Sequence, residues 1–412
     1  MSGEVVVATG HAAVPGPAPA ADPAGSSNPR SSSPNTVSAP SVRMTMSAST
    51  SSTSGEGARA RAGASAIGRR ILPGRLRASL AAVATAVATL AALGAAAPAP
   101  THYPFHKGMA IGLYSEDKKH GFYDTALTDV KAIGVKNVSF VVQWTMDSIR
   151  DLTIKPTDGD TIADERLREI MKKAKSLGLD CFLFPILHVA HRKPLEWRGV
   201  IKPSDPDTWW AQYETFILHY AAIAAETKIG LLSIGSELVS LEPERARFEH
   251  LIARVRAVYS GRIIYSANWD HYRPVTFWDL LDYVGMTGYH ALAKTTTPTL
   301  ADLEGGWSAV KKDIVAFSHE IGRPVIFTEI GYPSQDGTAM HPWDYTTSDP
   351  VDLEEQYLCY RAFFNVWKDE PALGGVYFWN WWGAGGPTDG WYTPKGKPAE
   401  KVVREWYLGP GK

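Results

Sequence analysis

Cysteine is scarce: Cys181 and Cys359 are the only two in 412 residues, far apart and each within an apolar run. That excludes a disulfide-stapled scaffold and any paired Cys-x-x-Cys site, and the two read as buried free thiols. Charge of one sign is also missing. With 42 Lys and Arg against 43 Asp and Glu, the net charge is −1, so no nucleic-acid partner is expected. No HExxH or HxxEH helix occurs, and the first apolar run is followed by Leu113-Tyr114-Ser115-Glu116, not by GxGxxG. A dinucleotide fold and a helical zinc site therefore lack their signatures. Aromatic residues are absent from 1–66, which is mostly Ala, Gly, Ser, Pro and Thr. Such a stretch buries too little apolar surface to offset its backbone entropy, and a disordered low-complexity segment is expected.

What is present begins with 67–100. Arg69-Arg70, Arg75 and Arg77 lead into an apolar, Ala-rich run from Leu80 to Leu93, closed by Gly94-Ala95-Ala96-Ala97. A basic start, a short apolar run and a small-residue exit describe an export signal. The run is short for a membrane span, which needs about 20 residues. A cleaved signal is favoured over a retained anchor, and the expected location is secreted or periplasmic, with membrane anchoring the alternative. The arginine pair suits a twin-arginine route only weakly, and initiation at Met44 or Met46 would shorten the segment ahead of it.

All 14 Trp and all 17 Tyr fall from Tyr103 onward, so 101–412 is expected to form one domain. Short apolar runs alternate there with amphipathic stretches. The runs are 109–113, 138–142, 181–187, 231–234, 263–265, 283–286, 324–327 and 376–379. Helix patterns cover 123–133, 163–177, 206–227, 243–259, 278–281, 307–321 and 353–368, with Gly134, Gly178 and Gly322 as stops. Buried parallel strands read as continuous apolar runs joined by crossover helices. Eight such units point to an α/β fold, a (β/α)8 TIM barrel, more than to an open doubly wound sheet.

Barrel sites lie at the C-terminal ends of the strands. There the sequence places Tyr114, Gln143-Trp144, His188 with His191, Ser236-Glu237, Asn268-Trp269-Asp270, Tyr289-His290, Thr328-Glu329 and Trp379-Asn380-Trp381-Trp382. Flat rings stack on pyranose faces, and amides, imidazoles and carboxylates bind hydroxyls. Glu237 and Glu329 are the candidate catalytic pair, because acetal hydrolysis needs two carboxyl groups flanking the scissile bond. Glu237 would protonate the leaving oxygen, which calls for a raised pKa. Glu329 would attack the anomeric carbon and must stay ionised, with Tyr289 helping to keep it so. The candidate substrate-binding residues are Tyr114, Trp144, His188, Ser236, Asn268, Trp269, Tyr289 and Trp379. His188, His191 and His290 are weighed as metal ligands, but Arg192 and Lys193 adjoin the first two, and no metal or cofactor is expected.

The stretches Leu232-Ser233-Ile234-Gly235-Ser236-Glu237-Leu238, Tyr265-Ser266-Ala267-Asn268-Trp269 and Phe327-Thr328-Glu329-Ile330-Gly331-Tyr332 resemble family 113 glycoside hydrolases. So do Trp197-Arg198-Gly199 and Phe378-Trp379-Asn380-Trp381. The resemblance runs from Lys107 to Trp382. It implies a clan of retaining barrel enzymes, mainly endo-β-1,4-mannanases, with Glu237 as acid/base and Glu329 as nucleophile. It also implies that Tyr289 hydrogen-bonds the nucleophile and that Trp379 stacks on the reacting sugar. Ser236 departs from the clan, which usually has Asn there, in contact with the sugar 2-hydroxyl. The expected partner is a polysaccharide or oligosaccharide, and the expected state is a monomer. Two alternatives stay open: a retaining β-glycosidase acting on another β-glycan, and a non-catalytic carbohydrate-binding barrel at the cell surface.

Overall fold

The computed structural model describes residues 103–114, 121–345 and 349–409. The low-complexity stretch 1–66 and the signal or anchor at 67–100 lie outside the described residues. Eight strands alternate with helices along the chain. They are β1 (His106–Gly112), β2 (Asn137–Met146), β3 (Asp180–Val189), β4 (Leu231–Ser236), β5 (Arg262–Ala267), β6 (Val284–Thr287), β7 (Val325–Ile330) and β8 (Leu373–Phe378). Every neighbouring pair is parallel, and β1 pairs with both β2 and β8, so the sheet closes into a barrel. The TIM-barrel expectation holds.

The crossovers are α1 (Phe122–Ala132), α2 (Asp164–Ser176), α3 (Pro206–Glu226), α4 (Arg245–Val258), α5 (Leu300–Ile321), α6 (Leu353–Trp367) and α7 (Pro398–Leu408). Between β5 and β6 the chain makes only a 3-10 turn, Trp278–Leu280. Local chemistry fixes several helix starts. Asp205 accepts the backbone N–H groups of Asp207 and Thr208 ahead of Pro206, the first residue of α3. At α5, Thr299 and Asp302 satisfy each other's backbone N–H groups in a capping box. That start lies well upstream of the apolar pattern read from 307, because the first two turns carry few large apolar residues. Helix α7 was absent from the sequence reading. Among the described residues, no helix is long and apolar enough to cross a membrane.

Alternate residues of each strand face the barrel interior. Val141, Phe182, Phe184, Leu231, Ile264, Ile326 and Tyr377 pack there as one buried cluster. The other strand faces pack on the helices through a second, larger cluster. Close packing across the β1–β8 seam requires glycine at 108, where a Cβ would sit 2.4 Å from the Tyr377 ring. At the N-terminal end of the strands, His106 hydrogen-bonds the hydroxyls of Tyr377 at 2.7 Å and Tyr283 at 3.3 Å. Burial and the nearby Arg262 push the His106 imidazole down to about 4, so it is neutral. This end is a packed plug, and the two buried glutamates at the ends of β4 and β7 lie at the other.

Candidate active site

Glu237 follows β4 directly and is fully buried. Its backbone takes φ 52, a left-handed conformation unfavourable for a side chain with a Cβ. Its N–H donates to Ser266 O at 2.7 Å, and the next N–H, of Leu238, donates to the Tyr265 hydroxyl at 2.7 Å. The side chain accepts from Arg198 Nη2 at 2.6 Å and from Thr287 Oγ1 at 3.1 Å. Glu329 lies within β7 and is also buried, accepting from the Tyr289 hydroxyl at 3.2 Å through Oε2. Its Oε1 has no hydrogen-bond partner. The two glutamates come from strands separated by β5 and β6, yet they interact electrostatically, and Arg198 feels both.

Burial raises the Glu237 carboxyl above the usual range, outweighing the downward pull of Arg198 and Thr287. Burial, reinforced by the charge of Glu237, likewise raises Glu329, and Arg198 and the Tyr289 hydrogen bond only partly offset this. Two buried carboxyls beside one guanidinium titrate as a unit, with proton affinities that belong to the pair. Tyr289, expected with nearby donors to keep Glu329 ionised, does hydrogen-bond it, but that bond lowers its proton affinity without reversing the rise. The Arg198 guanidinium contacts Glu237.

Other candidates divide. Tyr114, just beyond β1, lies within electrostatic reach of Glu329 and Arg198. His188, on β3, shares the parity of the interior residues Phe182, Phe184 and Ile186. Burial, Arg192 and Arg198 lower its pKa. Ser236 is buried with its hydroxyl unpartnered. Trp269 donates its N–H to Thr287 Oγ1 at 3.1 Å, which ties its loop to the residue that holds Glu237. Tyr289 and Trp379 both join the interior aromatic cluster. Asn268 is turned onto its own loop, with Nδ2 donating to Asp270 at 2.9 Å.

Trp144 is a correction. It packs against Phe216, His219 and Tyr220 of α3, with ring centroids 5.2–6.3 Å away, because odd-numbered β2 residues such as Val141 and Gln143 point inward. Trp144 is wedged between strand and helix. Trp382 is likewise packed, its ring 5.0 Å from Phe122.

Arg198 is the main residue missed as a site member. It sits in a 3-10 turn of the long segment between β3 and α3, where no periodicity marks it. Trp343, Tyr345 and Tyr392, from the loops after β7 and β8, were missed as well. Trp343 stacks on Trp269 at 5.5 Å, and Tyr392 reaches Pro342 O at 2.8 Å. The two loops are joined by Lys397, whose buried ammonium donates to Ser334 Oγ, Asp389 Oδ1 and Trp391 O at 2.8–2.9 Å. Gln356 adds a bond to Tyr332 O at 2.8 Å.

Among the described residues, one acidic trio, Asp336, Asp352 and Glu355, has ligand-type oxygens within 4.8 Å of one another. Both Glu355 oxygens already accept N–H groups, from Gly337 and Ala339, and Asp352 caps α6, so two of the three carboxyls are engaged in holding their own loop and helix.

The family model that matches residues 112–388 is Glycoside Hydrolase Family 113. The chain belongs to that family. It is a glycoside hydrolase, and its substrate is a carbohydrate. A solved GH113 β-1,4-mannanase in a complex superimposes on the enzyme with TM-score 0.67 at 25% identity, covering 74% of this chain and 99% of that one. The β-mannanase AaManA from Alicyclobacillus acidocaldarius, in complex with ManMIm, gives 0.67 at 26% identity, covering 74% and 97%. A β-glucuronidase from Dictyoglomus thermophilum shares the fold alone, at 13% identity and TM-score 0.51 over 73% of this chain and 50% of that one. Among curated proteins none matches the enzyme.

Proposed function

We propose that the enzyme is a retaining endo-β-1,4-mannanase that works by double displacement through Glu329 and Glu237. The observation that carries this reading is the pair of buried, mutually coupled carboxyls at the C-terminal rim, flanked by Arg198 and Tyr289. The mannanase relatives supply the choice of substrate. In the first step Glu329 forms a bond to the anomeric carbon while the glycosidic C–O bond breaks, and Glu237 delivers its proton to the departing oxygen. In the second, Glu237 takes a proton from water as that water attacks the same carbon and releases Glu329, which restores the starting anomeric configuration. Oε1 of Glu329 suits the attacking role, since the Tyr289 hydroxyl occupies only Oε2. For bond cleavage the shared proton must sit on Glu237, a redistribution within one coupled pair. Trp379, Trp269 and Trp343 offer rings for stacking along a chain of sugars.

The decisive experiment is product analysis by NMR on defined β-1,4-manno-oligosaccharides. Expected are internal cleavage, release of the β-anomer first, and loss of about three orders of magnitude or more in kcat for Glu237→Gln and Glu329→Gln. Initial release of the α-anomer overturns the retaining mechanism. Activity on another β-glycan but not on mannan moves the substrate assignment, an outcome to which the short side chain at Ser236 is relevant. Calorimetric binding without turnover identifies a carbohydrate-binding barrel.

We also propose action outside the cytoplasm, supported by the basic, apolar and small-residue order of 67–100. Cell fractionation with N-terminal sequencing of the mature chain tests this, and recovery of the full chain from the cytosol alone rejects it.

A further inference from the structure

The residue proposed as acid/base stands on an unfavourable backbone conformation, at φ 52, so something must hold it there. Two consecutive N–H groups do so by bonding to consecutive residues of β5: that of Glu237 to Ser266 O, and that of Leu238 to the Tyr265 hydroxyl, both at 2.7 Å. The first acceptor is main chain and survives any side-chain change. The second is a phenol, and its own proton needs a destination. It goes to Oε1 of Glu242 at 2.8 Å, a carboxylate with no exposure. The other oxygen of Glu242 bonds Nδ1 of His271 at 2.8 Å, on the loop that follows β5. Glu242 is itself tied to the same turn, its N–H donating to Leu238 O at 3.1 Å. None of these three side chains hydrogen-bonds either Glu237 or Glu329 through a side-chain atom. A buried carboxylate is costly unless paired, and here its two oxygens serve one hydroxyl and one imidazole. The hydroxyl is thereby fixed with its lone pair facing the Leu238 N–H.

We infer that Tyr265, oriented by Glu242 and His271, is a positioning residue that fixes the backbone of Glu237 and so aims its carboxyl at the glycosidic oxygen. The inference rests on the acid/base reading of Glu237 and adds residues whose side chains bond neither catalytic carboxyl. Loss of aim harms proton delivery to a poor leaving group, and harms it little where the leaving group departs without a proton. In the second step it weakens the general base, a role that an anionic nucleophile needing no deprotonation bypasses.

The test uses Tyr265→Phe in the full chain, with a β-1,4-manno-oligosaccharide and the dinitrophenyl glycoside of β-1,4-mannobiose as substrates. Expected is a fall of about tenfold to a hundredfold in kcat/KM on the oligosaccharide and less than about threefold on the dinitrophenyl substrate. Azide is expected to raise kcat of the variant on the dinitrophenyl substrate, with glycosyl azide as product, and to leave the wild type unchanged. Equal losses on both substrates, or no azide response, overturn the inference and leave Tyr265 as packing. If Tyr265→Phe does not fold, Glu242→Gln carries the same comparison. It keeps an oxygen to accept the phenol proton, and a loss confined to the oligosaccharide is again expected, while a uniform loss overturns. Glu237→Ala run alongside separates the two readings. If it shows the leaving-group and azide signatures and the Tyr265 variant does not, only the positioning role falls; if it shows neither, the acid/base assignment falls and takes this inference with it.

Discussion

Glu329 is held with one oxygen unpartnered and a second carboxyl nearby, an arrangement that works against folding stability. Its folded-state proton affinity is raised, whereas in the unfolded chain it titrates near the ordinary value of about 4.3. Below that pH both states hold the proton and no penalty arises. As pH climbs above it, the unfolded state ionises first and is favoured, so stability drops until the folded carboxyl has also ionised. Glu329→Gln removes that penalty. The variant is expected to be inactive yet more stable than wild type by about 1–3 kcal/mol at pH 7, with the gain vanishing near pH 4. Thermal unfolding at the two pH values checks this, and a variant less stable at pH 7 contradicts it. The pair itself was legible because both glutamates terminate apolar runs. Trp144 misled because the strand continues through it, and one step along a strand turns a side chain from the interior to the helices. Arg198 was legible only as part of a family motif, since its position depends on a loop returning to the mouth.

At the level of elements, the strand and helix alternation followed from apolar periodicity, and the observed bounds differ mostly by one to three residues at the ends. The exceptions have local causes. Helix α5 starts early because the Thr299–Asp302 box outweighs a weakly apolar first stretch. Helix α7 was overlooked although Pro398 opens it and Val402, Val403 and Tyr407 form a buried stripe. What no periodicity encodes is how the long loops after β7 and β8 are joined. Lys397 does this with a side chain that is fully buried and whose proton affinity is lowered by that burial. Lys397→Met leaves Asp389 without its cation and Ser334 and Trp391 without a shared donor. The expected cost is about 2–4 kcal/mol of stability, seen in chemical denaturation, together with a raised KM for oligosaccharides as the loops carrying Tyr345 and Tyr392 loosen. An unchanged denaturation midpoint contradicts this account.

Across the whole molecule, the barrel separates two tasks along its axis. The end where the strands begin is a packed plug of His106, Tyr283 and Tyr377, and the end where they finish holds the two buried glutamates and the Arg198 guanidinium. The first described strand and the last helix meet at the plugged end: Lys107 donates to Tyr407 O at 2.8 Å, and the Tyr407 hydroxyl donates to Gly108 O at 2.9 Å. Both ends of the described barrel therefore lie at the plugged end, on the side away from the rim that carries Glu237 and Glu329. A tag or short linker joined beyond Gly409 starts on that side and is expected to leave the rim unobstructed.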